Sequence, residues 1–166
     1  MAELAVEGLA LRRATTADGP AIQAVLDDDP ATWELLEGAP LVPNEGELML
    51  PLVPPGGTIA NKHLFVAEGA CVIDLYAGYP QPHIWYLGLI FLTRAIRGEG
   101  LGTRVLACLA AFVRAHGGTA LRLGVVAENA AARRFYDRLG FRHVFSKQRP
   151  TPSGGLTDLD VLELAL

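Results

Sequence analysis

Nothing in this sequence limits its fold more than Arg97-Gly98-Glu99-Gly100-Leu101-Gly102, set between two apolar stretches of different period. Before it lies a nearly continuous apolar run from Ile84 to Leu92, of strand length. After it, Thr103 to Val113 places apolar residues at helical spacing. The segment therefore reads as a strand, a glycine-rich turn and a helix. Closely spaced glycines let the N–H groups of Gly98 to Thr103 turn toward one point, and a helix start adds unpaired donors and a positive dipole end. Arg97 contributes a charge-assisted fork beside them. A phosphate or pyrophosphate is the natural occupant, and a tight turn with a solvated arginine is the competing reading.

Two nucleotide motifs fail on detail. A P-loop needs Lys-Ser or Lys-Thr after its last glycine, but Thr103-Arg104 follows Gly102. The dinucleotide fingerprint belongs to a first strand–helix unit with an acid about 20 residues on. Here the glycines lie past the middle of the chain, and Gly117-Gly118 stands where the acid belongs. The expected ligand is phosphorylated, but not NAD, ATP or GTP.

The 166 residues suit one domain, 1–166, with one core. Apolar residues at 51% and charged residues at 19% place the chain far from disorder. A net charge of -4, with no basic block beyond Arg133-Arg134, argues against gripping a nucleic-acid backbone. No apolar run is long enough to span a membrane, and the N-terminal residues lack a basic-then-apolar leader. Cys71 and Cys108, both in apolar surroundings, read as reduced thiols in a cytoplasmic protein. His63, His83, His116 and His143 show no metal-ligand spacing, so no metal is expected.

Leu4 to Arg13 reads as a first strand, and Pro20 to Leu26 as a helix capped by Thr15-Thr16-Ala17-Asp18. Residues 31–58 are irregular, with short helical turns at Thr32–Leu36 and Glu45–Leu52 between prolines. Trp33 and Met49 are either cleft walls or core. Strands are expected at Lys62–Ala67, Ala70–Gly78 and His83–Leu92, joined by tight turns into an antiparallel meander. A helix over Gly100–Ala115, a strand over Thr119–Val126 and a helix over Asn129–Leu139 follow. Phe141–Lys147 and Leu159–Leu166 read as the last strands. The class is a mixed α/β (α+β) sheet with helices packed on it.

A second constellation sharpens the first. Asn129 and Tyr136 stand two helical turns apart, a spacing that lets both face the same cleft. The amide suits amide-like groups of a ligand. The phenol, with an ordinary pKa near 10, suits protonation of a departing anion.

With both motifs in view, the sequence resembles the GNAT family of acyl-CoA-dependent N-acyltransferases. Arg97-x-x-Gly100-x-Gly102 is similar to the family's pyrophosphate loop, and Asn129-x-x-Ala132-x-x-x-Tyr136 with Gly140-Phe141 to its second signature. The resemblance is strong over residues 60–147. It implies a twisted mixed central sheet of six or seven strands flanked by about four helices, with two central strands parting into a cofactor groove. It also implies that acetyl-CoA is the co-substrate. Ile90, Phe91 and Leu92 would pair with its pantetheine arm. Arg97, Gly98, Glu99, Gly100, Leu101, Gly102 and Thr103 would hold its pyrophosphate, while Asn129 and Ala132 would line the arm and Tyr136 would reach the sulfur.

The implied reaction is direct attack by a neutral amine of a small molecule or protein, with a backbone N–H near Leu92 polarising the thioester oxygen and Tyr136 protonating the thiolate. A longer acyl donor, or a non-catalytic CoA-binding role, are the alternatives. Several relatives carry a basic glutamate on the fourth strand or at the position of Gly124. This chain has none at either place, which leaves Asp74, Tyr76 and His83 near the cleft without assigning a base. Asp27 to Asp29, Trp33 and Tyr79 favour a cationic amine as acceptor. Leu159 to Leu166, read as an apolar strand at or near a sheet edge, together with a mean hydropathy of +0.28, suggests a homodimer.

Overall fold

The computed structural model describes residues 3–166. Strands β1 (Arg12–Arg13), β2 (Lys62–Ala67), β3 (Cys71–Ala77), β4 (Ile84–Leu92), β5 (Ala120–Val126), β6 (Arg142–Pro150) and β7 (Leu156–Ala165) form one sheet. Their order is β1-β2-β3-β4-β5-β7-β6. Around it lie α1 (Gly19–Leu26), α2 (Pro30–Glu37), α3 (Glu45–Met49), α4 (Leu101–Ala115) and α5 (Ala130–Arg138). The meander β1 to β4 is antiparallel, and α4 carries the chain across to β5, which runs parallel to β4. This is the expected mixed sheet. No described helix is long and apolar enough to cross a membrane.

Each face of the sheet buries its own apolar cluster. Val105, Leu109 and Phe112 of α4 cover Ile73, Leu75, Trp85 and Leu121 on one side. On the other, Ile22, Val25 and Leu26 of α1, with Trp33 and Met49, cover Val66, Val72 and Phe91. Trp33 and Met49 are therefore core residues rather than cleft walls.

One strand changes faces. Trp85 and Leu87 join the α4 cluster, whereas Leu89 and Phe91 join the opposite one. A plain strand keeps residues two apart on one face. The register explains the switch: Leu75 pairs with Leu87 and Asp74 with Leu89, so Gly88 is an extra, bulged residue.

The ends of the chain differ from expectation. Only Arg12–Arg13 of the proposed first strand pairs with β2. Upstream, a Val6–Leu9 bridge closes a turn at Gly8, whose φ of 86° suits glycine, and drops Leu4 and Val6 into the core. β7 lies between β5 and β6, with Leu159, Val161 and Leu162 buried. It is not an edge, so the apolar-edge argument for a homodimer fails. The edge is β6, which is longer than the Phe141–Lys147 read from sequence and exposed along nearly all its length.

At the other end of the sheet His63 packs among Trp85, Phe112 and His116, with ring centroids 4.9, 5.7 and 6.3 Å away. Burial, then Arg13 and His116, push its imidazole down to about 4. Its folded-state pKa lies below the unfolded 6.5, so its contribution to stability is present above pH 6.5 and is lost as pH falls toward 4. Thermal unfolding midpoints should therefore fall across that window. His63→Leu should flatten this part of the dependence, and an unchanged pH profile in the variant would disprove it.

Candidate active site

β4 and β5 pair only from Ile84–Leu87 against Ala120–Leu123. Beyond the Gly88 bulge they part. Leu89 to Leu92 remain bonded to β3, and Gly124 to Val126 to β7, so the edges that face each other there make no mutual ladder. A cleft opens between two rigid strands, with unpaired backbone groups on its walls.

The broad end of the cleft, about 670 Å³, is bounded by Ile90, Phe91 and Leu92, by the loop from Arg97 to Thr103 and by α5. The N–H groups from Gly98 to Thr103 find no acceptor among the described residues. The three glycines serve different ends. Gly98 and Gly100 have φ of 89° and 73°, in the left-handed region, while a Cβ on either would meet nothing. At Gly102 a Cβ would sit 3.2 Å from Cζ of Phe135, so this glycine lets α4 approach α5.

Arg97 is less free than the sequence suggests. Its Nε donates to the Leu92 carbonyl at 2.8 Å, and its Nη1 to Asp29 Oδ2 at 2.6 Å. Asp29 in turn caps α2 by accepting from the Thr32 N–H. The Thr32 hydroxyl and then Arg97 hold the Asp29 carboxyl down at about 2. Next to it, Asp28 accepts from the Arg94 N–H at 2.7 Å. Asp28 and Asp29 therefore brace the segment that carries the glycine loop, and neither lines the cavity beyond Gly88. Asp29 carries stability above the ordinary carboxylate range that is lost as pH falls toward 2. Asp29→Asn should weaken CoA binding by loosening the loop, measured by calorimetry, and unchanged affinity would refute the brace.

The cleft then narrows to about 90 Å³. Leu87 to Ile90 line one side, Leu123 to Val126 the other, and Asn129, Ala132 and Tyr136 of the α5 region the third. Asn129 Oδ1 caps α5 through the Ala132 N–H at 3.1 Å, which leaves its Nδ2 for a ligand. Ile90, Asn129 and Ala132 also line the broad end and so join the two spaces. Tyr136 is half-buried, its ring packed 5.3 Å from that of Phe141. Burial pushes its phenol up to about 12. Leu92 stays in the broad end, whereas Gly88, Leu89 and Ile90 line the narrow space with Tyr136.

Across Gly88 lies a third space of about 320 Å³, bounded by Leu52 to Pro54, Lys62, Asp74, Tyr76, Tyr79, Tyr86 and Lys147. Lys62 Nζ bonds both oxygens of Asp74, at 2.9 and 2.8 Å, and the Leu52 carbonyl at 2.8 Å. The Tyr76 hydroxyl is committed to the N–H and the carbonyl of Thr58. Tyr79 and Tyr86 remain as an aromatic wall, their rings 5.7 Å apart.

A model of the Acetyltransferase (GNAT) family matches residues 52–141, more than half of the chain. The chain belongs to that family. Among functionally characterised proteins no sequence gives a significant match. Solved structures agree in fold. An acetyltransferase from Thermus thermophilus is 24% identical, with a TM-score of 0.76 over 97% of this chain and 99% of that one. A ribosomal-protein-alanine N-acetyltransferase from Brucella melitensis is 23% identical, TM-score 0.69, over 95% and 100%. YncA from Salmonella typhimurium, solved with its cofactor acetyl-CoA, is 18% identical, TM-score 0.65, over 96% and 95%.

For a GNAT protein the place without a strand-five glutamate is now explained. A Cβ on Gly124 would lie 2.8 Å from Leu159 Cδ2, so β7 fills the space a side chain would need. His83 is exposed at the far end of β4 and lines none of the three spaces. Asp74 does reach the cleft, but Lys62 holds it. The thiols stay out of the chemistry: Cys71 and Cys108 are unpaired, and burial pushes Cys71 up to about 12. No cluster of metal-ligating side chains occurs among the described residues. Glu37, which the sequence reading passed over, lines the narrow space with Tyr136. One signal was available: a carboxylate in the last turn of a helix, just before glycine, opposes the helix dipole.

Proposed function

We propose that this protein transfers an acetyl group from acetyl-CoA to a primary amine, of a small molecule or an exposed protein amino group, by direct attack within a ternary complex. The observation that carries the reading is a chain of three spaces: a donor groove under free N–H groups, which joins at Ile90, Asn129 and Ala132 a narrow cavity with Tyr136, which in turn shares Gly88 with an aromatic-walled cavity beyond. Pyrophosphate on the Gly98–Thr103 donors and pantetheine along Ile90 to Leu92, with the Asn129 amide, would bring the thioester to Tyr136. An N–H within Gly88 to Ile90 then polarises the carbonyl. The acceptor enters from the Tyr79–Tyr86 side. A cavity of about 90 Å³ at the thioester favours acetyl over longer acyl groups.

CoA-thiol release across a panel of amines tests this. Release that depends on an amine, and that falls as the acyl chain lengthens, is expected. CoA binding without release would favour a non-catalytic role instead. Gly100→Val should abolish CoA binding in a folded protein, because a branched residue at φ of 73° reshapes the donor loop. Unchanged affinity would remove the pyrophosphate assignment.

Self-association is proposed on the outer strand, in place of β7. Val144 and Phe145 of β6 are 45% and 43% exposed. Light scattering should give about twice 17.7 kDa, and a monomer mass at micromolar concentration would end the proposal.

A further inference from the structure

With no glutamate on β4 or at Gly124, the carboxylate that lines the narrow cavity is that of Glu37. It is the last residue of α2 and lines the same narrow cavity as Gly88, Gly124 and Tyr136. Among the described residues no ion pair closes on it. Arg149, the cation on the cavity wall, gives its Nη2 to the Leu36 carbonyl at 2.5 Å instead. Other carboxylates near the cleft are engaged: Asp74 by Lys62, Asp160 by Arg133 and Ser146, Glu163 by Arg122.

The end of α2 is also held in place. The Leu36 carbonyl takes Arg149, and the Gly38 carbonyl takes the Ser153 hydroxyl at 2.9 Å, so the β6–β7 hairpin grips both neighbours of Glu37. Gly38 adopts φ of 76°, and a Cβ there would meet Thr151 Cγ2 at 2.5 Å. At the other end Asp29 ties α2 to Arg97, and Trp33 anchors its middle in the core. One short helix thus runs from the donor loop to the thioester cavity.

We infer that Glu37 is the general base of the transfer reaction, taking a proton from the acceptor's ammonium group in the cavity that holds Tyr136. This rests on the acetyl-transfer reading above. The charged and titratable groups that face it are Arg149 of β6, Glu45 of α3 and Tyr136 of α5. Burial raises the Glu37 carboxyl above its ordinary range, with Arg149 pulling the other way, and burial and then Glu37 raise Glu45. The helix C-terminus adds to the proton affinity. A base shifted toward neutrality matches its task better than an ordinary carboxylate.

The steps balance. R–NH3+ gives one proton to Glu37, and the neutral amine's lone pair forms a C–N bond to the thioester carbon. The C–S bond breaks with its electron pair on sulfur, and Tyr136 donates a proton to that thiolate. The nitrogen, still carrying its surplus proton, returns one to the tyrosinate as the amide forms. Glu37 releases its proton to solvent. The acceptor class that needs this residue is an alkylamine, charged at neutral pH.

The test compares wild type and Glu37→Gln with two acceptors, an alkylamine and an aromatic amine already neutral at assay pH. For the alkylamine, kcat/KM should fall about a hundredfold, and the ascending limb of its pH profile due to Glu37 should vanish. For the aromatic amine the loss should be severalfold at most. Acetyl-CoA affinity by calorimetry should stay within about twofold, and Glu37→Asp should recover part of the rate. Equal losses with both amines, or none, would overturn the base while leaving transfer intact. No amine-dependent release by wild type would instead overturn the transfer reading, and the base with it.

Discussion

Tyr136→Phe is expected to lower kcat about a hundredfold while leaving acetyl-CoA affinity within about twofold. The phenylalanine keeps the ring contacts with Phe135 and Phe141, at 5.1 and 5.3 Å, and deletes one hydroxyl. A phenol held up at about 12 by burial stays protonated through any neutral assay, so it is an acid in the resting enzyme. In water it would be a poor donor to a thiolate, since an ordinary thiol titrates near 8.5. The cavity changes that comparison. The burial that raises Tyr136 disfavours a departing thiolate there as well, so both anions are penalised and the thiolate is a better acceptor than in water. The expected penalty should shrink for a thioester with a more acidic thiol, which leaves without help. Full kcat in the phenylalanine variant with the best acceptor would reduce Tyr136 to packing.

The cleft is legible in the sequence wherever its parts are local. The Arg97–Gly102 turn and the Asn129–Tyr136 helix are each local features, at a helix start or on one helix face, and both line the cleft. Trp33 and Met49 were open between cleft and core, because periodicity cannot say which neighbour a short helix meets. The partners of the acidic run were hidden for the same reason: Asp28 and Asp29 bond Arg94 and Arg97, far along the chain. β7 looks like an edge strand in sequence, and its central place follows only from a hairpin that sends β6 outward. Glu37 was hidden most deeply. It shares a cavity with Tyr136, and the β6–β7 hairpin that holds it there reaches back to Leu36 and Gly38 from far along the chain.

The other large effect concerns stability and sits in the wall of the Tyr79–Tyr86 cavity. Lys62→Met should lower unfolding free energy by about 3–5 kcal/mol near neutral pH. The ammonium is 4% exposed, and both Asp74 oxygens and the Leu52 carbonyl depend on it. Methionine fills the volume but leaves a carboxylate, 17% exposed, without its cation. Burial already raises Asp74 above its ordinary range, with Lys62 opposing. Without Lys62 the rise is larger, and a raised carboxyl destabilises the fold as pH climbs past its unfolded value. The deficit should therefore shrink on acidification, as Asp74 takes a proton. Adding Asp74→Leu to Lys62→Met should recover most of the loss, since a buried pair replaced whole by apolar groups costs little. Denaturant midpoints for the two single variants and the double one measure the coupling. A double variant no more stable than Lys62→Met alone would show that the amine's bond to Leu52, which fixes the wall of the Tyr79–Tyr86 cavity, outweighs the ion pair.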